Sequence, residues 1–451
     1  MKLRNLYISP QDLRVEHCQL IDEGRDLGGL EREFERLEAL SEEELLAHQD
    51  RCNALLDEAA RLPRVVGYPY HEPSDLESIR AARPGTGEVF DADLDERDLF
   101  DRVHGAWLGR AAGCLLGKPV EGWLSARMWG FLQDLGKYPL GDYFRCDVDP
   151  GLAEKYEIRP ERGFINLVDH MPEDDDTNYT VAGLLILKKH GADFRPHDVA
   201  GFWLENLPVL HTWTAERVAY RNFLNGVDPP ASATCRNPYR EWIGAQIRAD
   251  FYGYAAQGNP ELAAEMAWRD ASVSHVKNGI YGSMWVAAML AAAPFLRDTR
   301  HVIEAGLAQI PARCRLAEAI AEVIGWHGQG DNFEQAVGKI HRRWDETFPH
   351  HWCHTVSNAQ VVALGLLWGG GDFEKSVCRA VQACFDTDCN GATVGSLAGM
   401  MLGAHNLPQK WTGPLNNRLE TGLAGYNLVE LDSLAAEGLE VSKRIRKMRQ
   451  T

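Results

Sequence analysis

Apolar positions in this chain recur at helical spacing far more often than they alternate, which points to helices rather than strands. The pattern is clearest early on in Leu30-Glu31-Arg32-Glu33-Phe34-Glu35-Arg36-Leu37 and in Glu42 to Leu62. Pro63 closes that part. Residues 63–97 contain Pro69, Pro73, Pro84 and several glycines, and read as an extended or looped connector. From Asp98 to about residue 425 the chain is a succession of Ala/Leu/Gly-rich helical segments, with short β-branched runs and little alternation. A further helical stretch begins near Leu428. The pattern predicts an all-α protein: a helical extension and connector over 1–97, a main body over 98–425, and a helical tail over 426–451.

Two of the helical segments carry glycine at every fourth position. Gly105, Gly109, Gly113 and Gly117 form one set, and Gly391, Gly395, Gly399 and Gly403 the other. On a helix each set makes one bare stripe. An interior glycine costs about 0.5–1 kcal/mol against alanine, so eight of them forgo several kcal/mol of local stability. The return expected is a close backbone approach between helices at the centre of the fold. The apolar span 391–404 is too short to cross a bilayer, so a buried seam in a globular protein is the expectation.

Each striped segment lies near a run of acids. Glu173-Asp174-Asp175-Asp176-Thr177 and Asp386-Thr387-Asp388-Cys389-Asn390 both lead directly into helical, apolar sequence. One Asp before a helix is an N-cap, and one cap needs one carboxylate. Three consecutive Asp, with an Asp-x-Asp far along the chain, fit oxygen ligands of a hard cation such as Mg²⁺ or Mn²⁺. Capping or a solvated turn would explain either cluster alone; the two together favour metal.

Composition narrows the classes. The 451 residues are 45% hydrophobic and 25% charged, an ordinary globular balance. A formal charge of −18 argues against a nucleic-acid partner, and the basic run Lys443-Arg444-Ile445-Arg446-Lys447 reads as a solvated helix end. Met1-Lys2-Leu3-Arg4-Asn5 leads into polar sequence without the apolar core of a secretory signal. The ten cysteines lack C-x-x-C spacing, so neither a zinc ribbon nor a disulfide framework is expected. A cytoplasmic protein with reduced thiols follows.

The stretch from Gly105 to Glu121 ends in Gly117-Lys118-Pro119-Val120-Glu121. Together with Asp174–Thr180, Ser274–Gly282 and Asp386–Gly403, in that order, it resembles the ADP-ribosylglycohydrolase family, which includes the dinitrogenase reductase-activating glycohydrolases. The resemblance covers roughly residues 98–410. It implies a compact orthogonal helical bundle, two Mg²⁺ or Mn²⁺ ions, and cleavage of the bond between ribose C1 and a protein side chain or small leaving group. Under it, Asp175 and Asp176 stand for the paired carboxylates of the first motif, and Asp386 and Asp388 for the ligands of the second. Glu121 lies at or gates the metal centre. Asp175, Asp176 or Glu121 would accept the proton of the attacking water, in a transition state with oxocarbenium character. His275, with Asn278 and Gly279 after it, corresponds to an element that contacts substrate. Gln246 and Arg248 stand where relatives have a nucleotide-holding loop; Arg248 could equally pair with a core carboxylate. Tyr220, Asn237, Tyr281 and Trp285 could stack on a base or sugar, or simply be core.

Two positions depart from the family pattern. Asp174 replaces a threonine and would add charge to the first metal; Cys389 replaces another, and a thiol is a poor Mg²⁺ ligand. Both enter the candidate ligand set. The changed 242–248 loop leaves open whether the substrate is an ADP-ribosylated protein, a free ADP-ribosyl compound or a smaller nucleoside-like riboside. A non-catalytic ligand-binding member is a separate reading, opposed by retention of four acidic positions. A terpene-synthase-like lyase would also use Asp-rich helices, but leaves the glycine stripes unexplained. Three placements suit residues 1–97: wrapped on the body, in a homo-oligomer interface, or over the site.

Overall fold

The computed structural model describes residues 5–85, 87–90 and 94–450, so Met1 to Arg4, read above for a signal segment, lie outside the described residues. The extension starts with α1 (Pro10–Asp22), capped by Ser9. The Ser9 hydroxyl accepts from Asp12 N (3.2 Å) while the Asp12 carboxylate accepts from Ser9 N (2.6 Å), a reciprocal capping box. Helix α2 (Gln49–Ala59) packs beside it. Leu13, Leu20, Phe34, Leu37, Leu45 and Leu55 close into a small core of their own. The opposite side of α1 is polar and buried: Asp12, Glu16, Gln19 and, just past the helix, Glu23 recur at helical spacing and face the body. Charged groups are costly to bury unless paired, and these are. Arg240 sits between Glu16 (2.5 Å) and Glu23 (2.8 Å), and Lys277 lies 2.7 Å from Glu23. The connector is also pinned, through Glu72 and its ion pair with Arg315 at 2.9 Å.

The body is built on the predicted glycine seam. Helix α3 (Glu96–Gly117) holds the first stripe. Helix α4 (Asp175–His190) follows the first acidic run, and α5 (Lys277–Ala292) and α6 (Thr355–Gly369) are almost wholly buried. Helix α7 (Thr387–Leu402) holds the second stripe and runs antiparallel against α3. Gly105 faces Gly399, Gly109 faces Gly395 and Gly113 faces Gly391, backbone on backbone. A methyl group at Gly105 would sit 2.5 Å from the Gly399 carbonyl oxygen, so no larger residue fits. The register places Gly117, the last residue of α3, against Thr387, the first of α7. The ends that carry the acids therefore meet.

The chain closes with a two-stranded antiparallel ribbon, β1 (Arg418–Glu420) and β2 (Leu428–Glu430), paired through Leu419 and Val429. Helix α8 (Leu431–Gln450) then packs on α3. The tail expected as helix from Leu428 thus starts as a strand, because Leu428 to Glu430 extend along residues 418–420. Its Leu434, Val441 and Ile445 belong to the main core. Among the described residues no helix is long and apolar enough to cross a membrane.

Candidate metal centre and cavity

Three chain segments converge at the α3–α7 junction: the turn after α3 carrying Lys118 and Glu121, the start of α4, and the start of α7. Their ends are tied by the Thr387 hydroxyl, which donates to the Gly117 carbonyl at 2.9 Å. The approach to α7 is strained. Cys384 and Phe385 both have positive φ, 68° and 61°, where side chains cost about 1–3 kcal/mol each. This turn delivers Asp386 to the junction, where Asn358 Oδ1 accepts from Asp386 N (3.2 Å) and from Asn390 Nδ2 (2.8 Å). Arg110, fully buried on α3, holds the other side: it donates to the Asp176 carbonyl (2.8 Å) and pairs with Asp250 (2.9 Å).

Ligand atoms of Glu121, Asp386 and Asp388 lie within 4.8 Å of one another, as do those of Asp176, Asp388 and Cys389. Asp388 belongs to both groups. Asp176 Oδ2 and Asp388 Oδ1 are buried without a hydrogen-bond partner. Leaving buried anionic oxygens unpaired is costly, and the carboxyls register it. Burial first, and neighbouring carboxylates second, push Asp175, Asp176 and Asp386 well above the ordinary range. Asp388 and then burial push Glu121 up to about 8. Carboxylate oxygens dominate both groups, Cys389 Sγ being the exception, and the two orphaned oxygens fit a hard divalent cation, whose charge would remove both penalties.

The two unusual positions behave differently. Asp174 caps α4, its Oδ1 accepting from Asp176 N at 3.0 Å, while its Oδ2 takes Lys118 Nζ at 2.7 Å. Burial raises the Asp174 carboxyl, but Lys118, helped by hydrogen bonds from Asp176 N and Cys114, holds it below its ordinary value. Lys118 thus balances its charge, while ligand atoms of Asp174, Asp176 and Cys114 also lie within 4.8 Å of one another. The Cys389 thiol is buried among Asp176, Asp386 and Asp388, and desolvation pushes it up, which keeps it protonated.

Above this floor opens a cavity of about 690 Å³. Glu121, Asp174, Asp175, Asp386, Asp388 and Cys389 line it, while Asp176 lies just behind. His211, Glu216, Trp352 and Cys353 are wall residues that escaped the sequence reading. Glu173, Trp242 and Lys118 also line it and had a signal, in the first acidic run, the 242–248 loop and the Gly-x-Pro-x-Glu segment. Asn5, Ser9 and Gln11 of the extension also line the cavity.

The remaining expected substrate contacts are not brought to it. Arg248 is fully buried between Glu216 and Asp270 (2.6 Å to the latter), the core pairing considered above. Gln246 accepts from the Thr355 hydroxyl at 2.9 Å inside the core. His275 is buried against the Ser274 hydroxyl (2.8 Å), and burial pushes it well below its usual range. Asn278 is saturated by Glu72 and Glu241, each at 2.8 Å, and by Leu316 N. Gly279 is pressed to the Arg240 carbonyl. The extension and connector cover part of this region: Lys277 N donates to Ser74 Oγ (3.1 Å) and Glu23 takes the Lys277 ammonium. Tyr281, Trp285 and Asn237 are core, and Tyr220 is nearly so.

Residues 95–442 match the family profile described as ADP-ribosylglycohydrolase. A solved structure described as an ADP-ribosylglycohydrolase-related protein complex is similar over 77% of this chain and 99% of that chain, with 20% identity and a TM-score of 0.44. No curated protein matches the sequence.

Proposed function

Because this chain belongs to the ADP-ribosylglycohydrolase family and is a hydrolase of glycosidic bonds, we propose that it cleaves an N- or O-glycosidic bond at ribose C1 with two Mg²⁺ or Mn²⁺ ions held by its acidic floor. The observation that carries this reading is the pair of orphaned oxygens, Asp176 Oδ2 and Asp388 Oδ1. Asp175, Asp176, Asp386 and Asp388 would hold the ions, with Asp388 shared between them. When bound, such ions act as Lewis acids toward vicinal ribose hydroxyls and water.

The chain's own residues supply the rest. Glu121, 40% exposed at the cavity edge and paired with Arg162 at 3.3 Å, holds a proton in the metal-free protein, and cation charge offsetting its neighbour Asp388 would free it to take one. As a base it removes the proton of the attacking water while the water oxygen bonds to C1; the C1–N or C1–O bond breaks and its electron pair leaves with the departing group. Asp175, half-buried beside it, is the alternative acceptor. Lys118 keeps Asp174 ionised and in its capping role. The substrate is a ribosylated compound.

The test is calorimetric titration of metal-free protein with Mn²⁺, followed by release assays on ribosyl substrates. Saturable binding lost in Asp388→Asn, with hydrolysis lost in parallel, is expected. Full activity after exhaustive chelation would sink the reading.

A further inference from the structure

We infer that the substrate is a small riboside without a diphosphate, admitted to a cavity that the N-terminal extension walls in, and not an ADP-ribosyl group carried on a protein. The inference rests on the proposed function for the place of the reacting ribose.

Construction of the wall is the first ground. The family match begins at residue 95, so Asn5, Ser9 and Gln11 reach the cavity from outside the matched domain. They are fixed there. Gln49 grips Ile8 on both sides, accepting from its N–H (2.9 Å) and donating to its carbonyl (2.8 Å). Ser9 is locked by its capping box. Asp12 accepts from the hydroxyl of Tyr239, itself a cavity residue. Farther back, Arg240 clasps Glu16 and Glu23, and Arg236 holds Asp57 bidentately at 2.9 and 2.7 Å. Swinging the extension away would strand the buried charges of the Arg240 cluster, which is strongly unfavourable. The segment is a fixed wall rather than a lid, so the cavity is not opened to a protein-borne side chain by its departure.

Charge is the second ground. Seven carboxylates line the cavity, and the lysine and arginine that line it are Lys118 and Arg162. Each is already engaged, Lys118 with Asp174 at 2.7 Å and Arg162 with Glu121 at 3.3 Å. His211 is engaged with Glu173 at 2.8 Å. The helix N-termini at the floor face carboxylates, so they do not offer an anion site. A diphosphate is recognised by charge-assisted donors, and here every such donor has a carboxylate partner. A neutral ring suits this cavity better: Trp213 and Trp352 line it and are the more exposed of its aromatic residues.

The experiment is calorimetry on the full chain with Mn²⁺ present, using adenosine, nicotinamide riboside and ADP-ribose as probes. One or both ribosides should bind at least about tenfold more tightly than ADP-ribose. Gln11→Arg places an unpaired cation in the wall and should shift that ratio about tenfold toward ADP-ribose. Ser9→Trp should weaken the riboside while Mn²⁺ affinity stays the same, a split that a general loss of folding would not give. Tighter binding of ADP-ribose than of either riboside, or release of ADP-ribose from a modified protein as fast as from a small compound, overturns the inference and leaves the glycohydrolase reading intact. Riboside binding in the expected order with no hydrolysis in any metal overturns the proposed function instead, and supports the preference.

Discussion

Lys118 Nζ stands 2.7 Å from Asp174 Oδ2, with Asp174 buried and Lys118 about one-fifth exposed. The sequence raised the question of what a third aspartate does beside a metal site, and the lysine answers it. Removing one partner of a buried pair leaves the other charge uncompensated, at about 3–5 kcal/mol. Lys118→Met should therefore lower the unfolding free energy by roughly that amount. In Lys118→Met/Asp174→Asn the loss should be much smaller than the sum of the single losses, because neither charge is stranded. A double-mutant cycle by denaturant unfolding checks this; additive losses would show that the two side chains are not a functional pair.

Glu121 gives the metal-free protein a pH signature. Its folded value of about 8 lies above its ordinary 4.5, so in that window the folded state holds a proton that the unfolded chain has released. Stability from this group is present at low pH and is lost as pH rises through about 8. Asp175, Asp176 and Asp386 shift in the same direction. The chelated protein should melt at progressively lower temperature between about pH 5 and pH 8. Glu121→Gln should flatten that slope, and saturating Mn²⁺ should flatten it further by raising stability most at high pH. A melting temperature that climbs across this window without metal would contradict the assignment.

The glycine seam predicts a sharp contrast between sites. Gly113 has the Gly391 backbone where a methyl would go, and backbone cannot move aside as a flexible side-chain end can. Gly113→Ala should destabilise by at least 1–3 kcal/mol, about the cost of overpacking, and should weaken Mn²⁺ binding because α3 and α7 carry the site. Gly325, inside the helix Arg315–Gly328, has open space around the same position. Gly325→Ala should be stabilising by about 0.5–1 kcal/mol. Equal effects of the two substitutions on the melting temperature would refute the close-packed seam.

How much of this was legible in the chain follows from which signals are local. Helical periodicity and the two four-residue glycine repeats depend on neighbours in sequence, and they gave the all-α architecture and the α3–α7 contact. The acidic clusters were visible for the same reason, and register along the seam brings them together. For Arg248 a core carboxylate was one of two readings, but its partners Glu216 and Asp270 were not legible, nor was the fate of Asn278, since these depend on other helices and loops. The role of the extension was hidden for a further reason. Its docking face is a stripe of Asp12, Glu16, Gln19 and Glu23, which on a lone helix reads as solvent-facing; only the partners Arg240 and Lys277 show it to be an interface.

Asp388 and Glu121 should separate by metal stoichiometry. Asp388 contributes to two groups of clustered ligand atoms, one with Glu121 and Asp386 and one with Asp176 and Cys389, whereas Glu121 contributes to one. Asp388 also has an oxygen with no other partner, while Glu121 is held by Arg162 and is 40% exposed. If two ions bind, Asp388→Asn should abolish or severely weaken both, since each loses a shared charged ligand. Glu121→Gln should keep at least one ion with nearly unchanged affinity and lose turnover, as expected of a proton acceptor whose removal costs about 10²–10⁴ in rate. Calorimetry with Mn²⁺, paired with single-turnover release of the ribosyl group, reads both quantities. Retention of two tight ions in Asp388→Asn would disprove the shared position, and full turnover in Glu121→Gln would pass the proton-accepting role to Asp175.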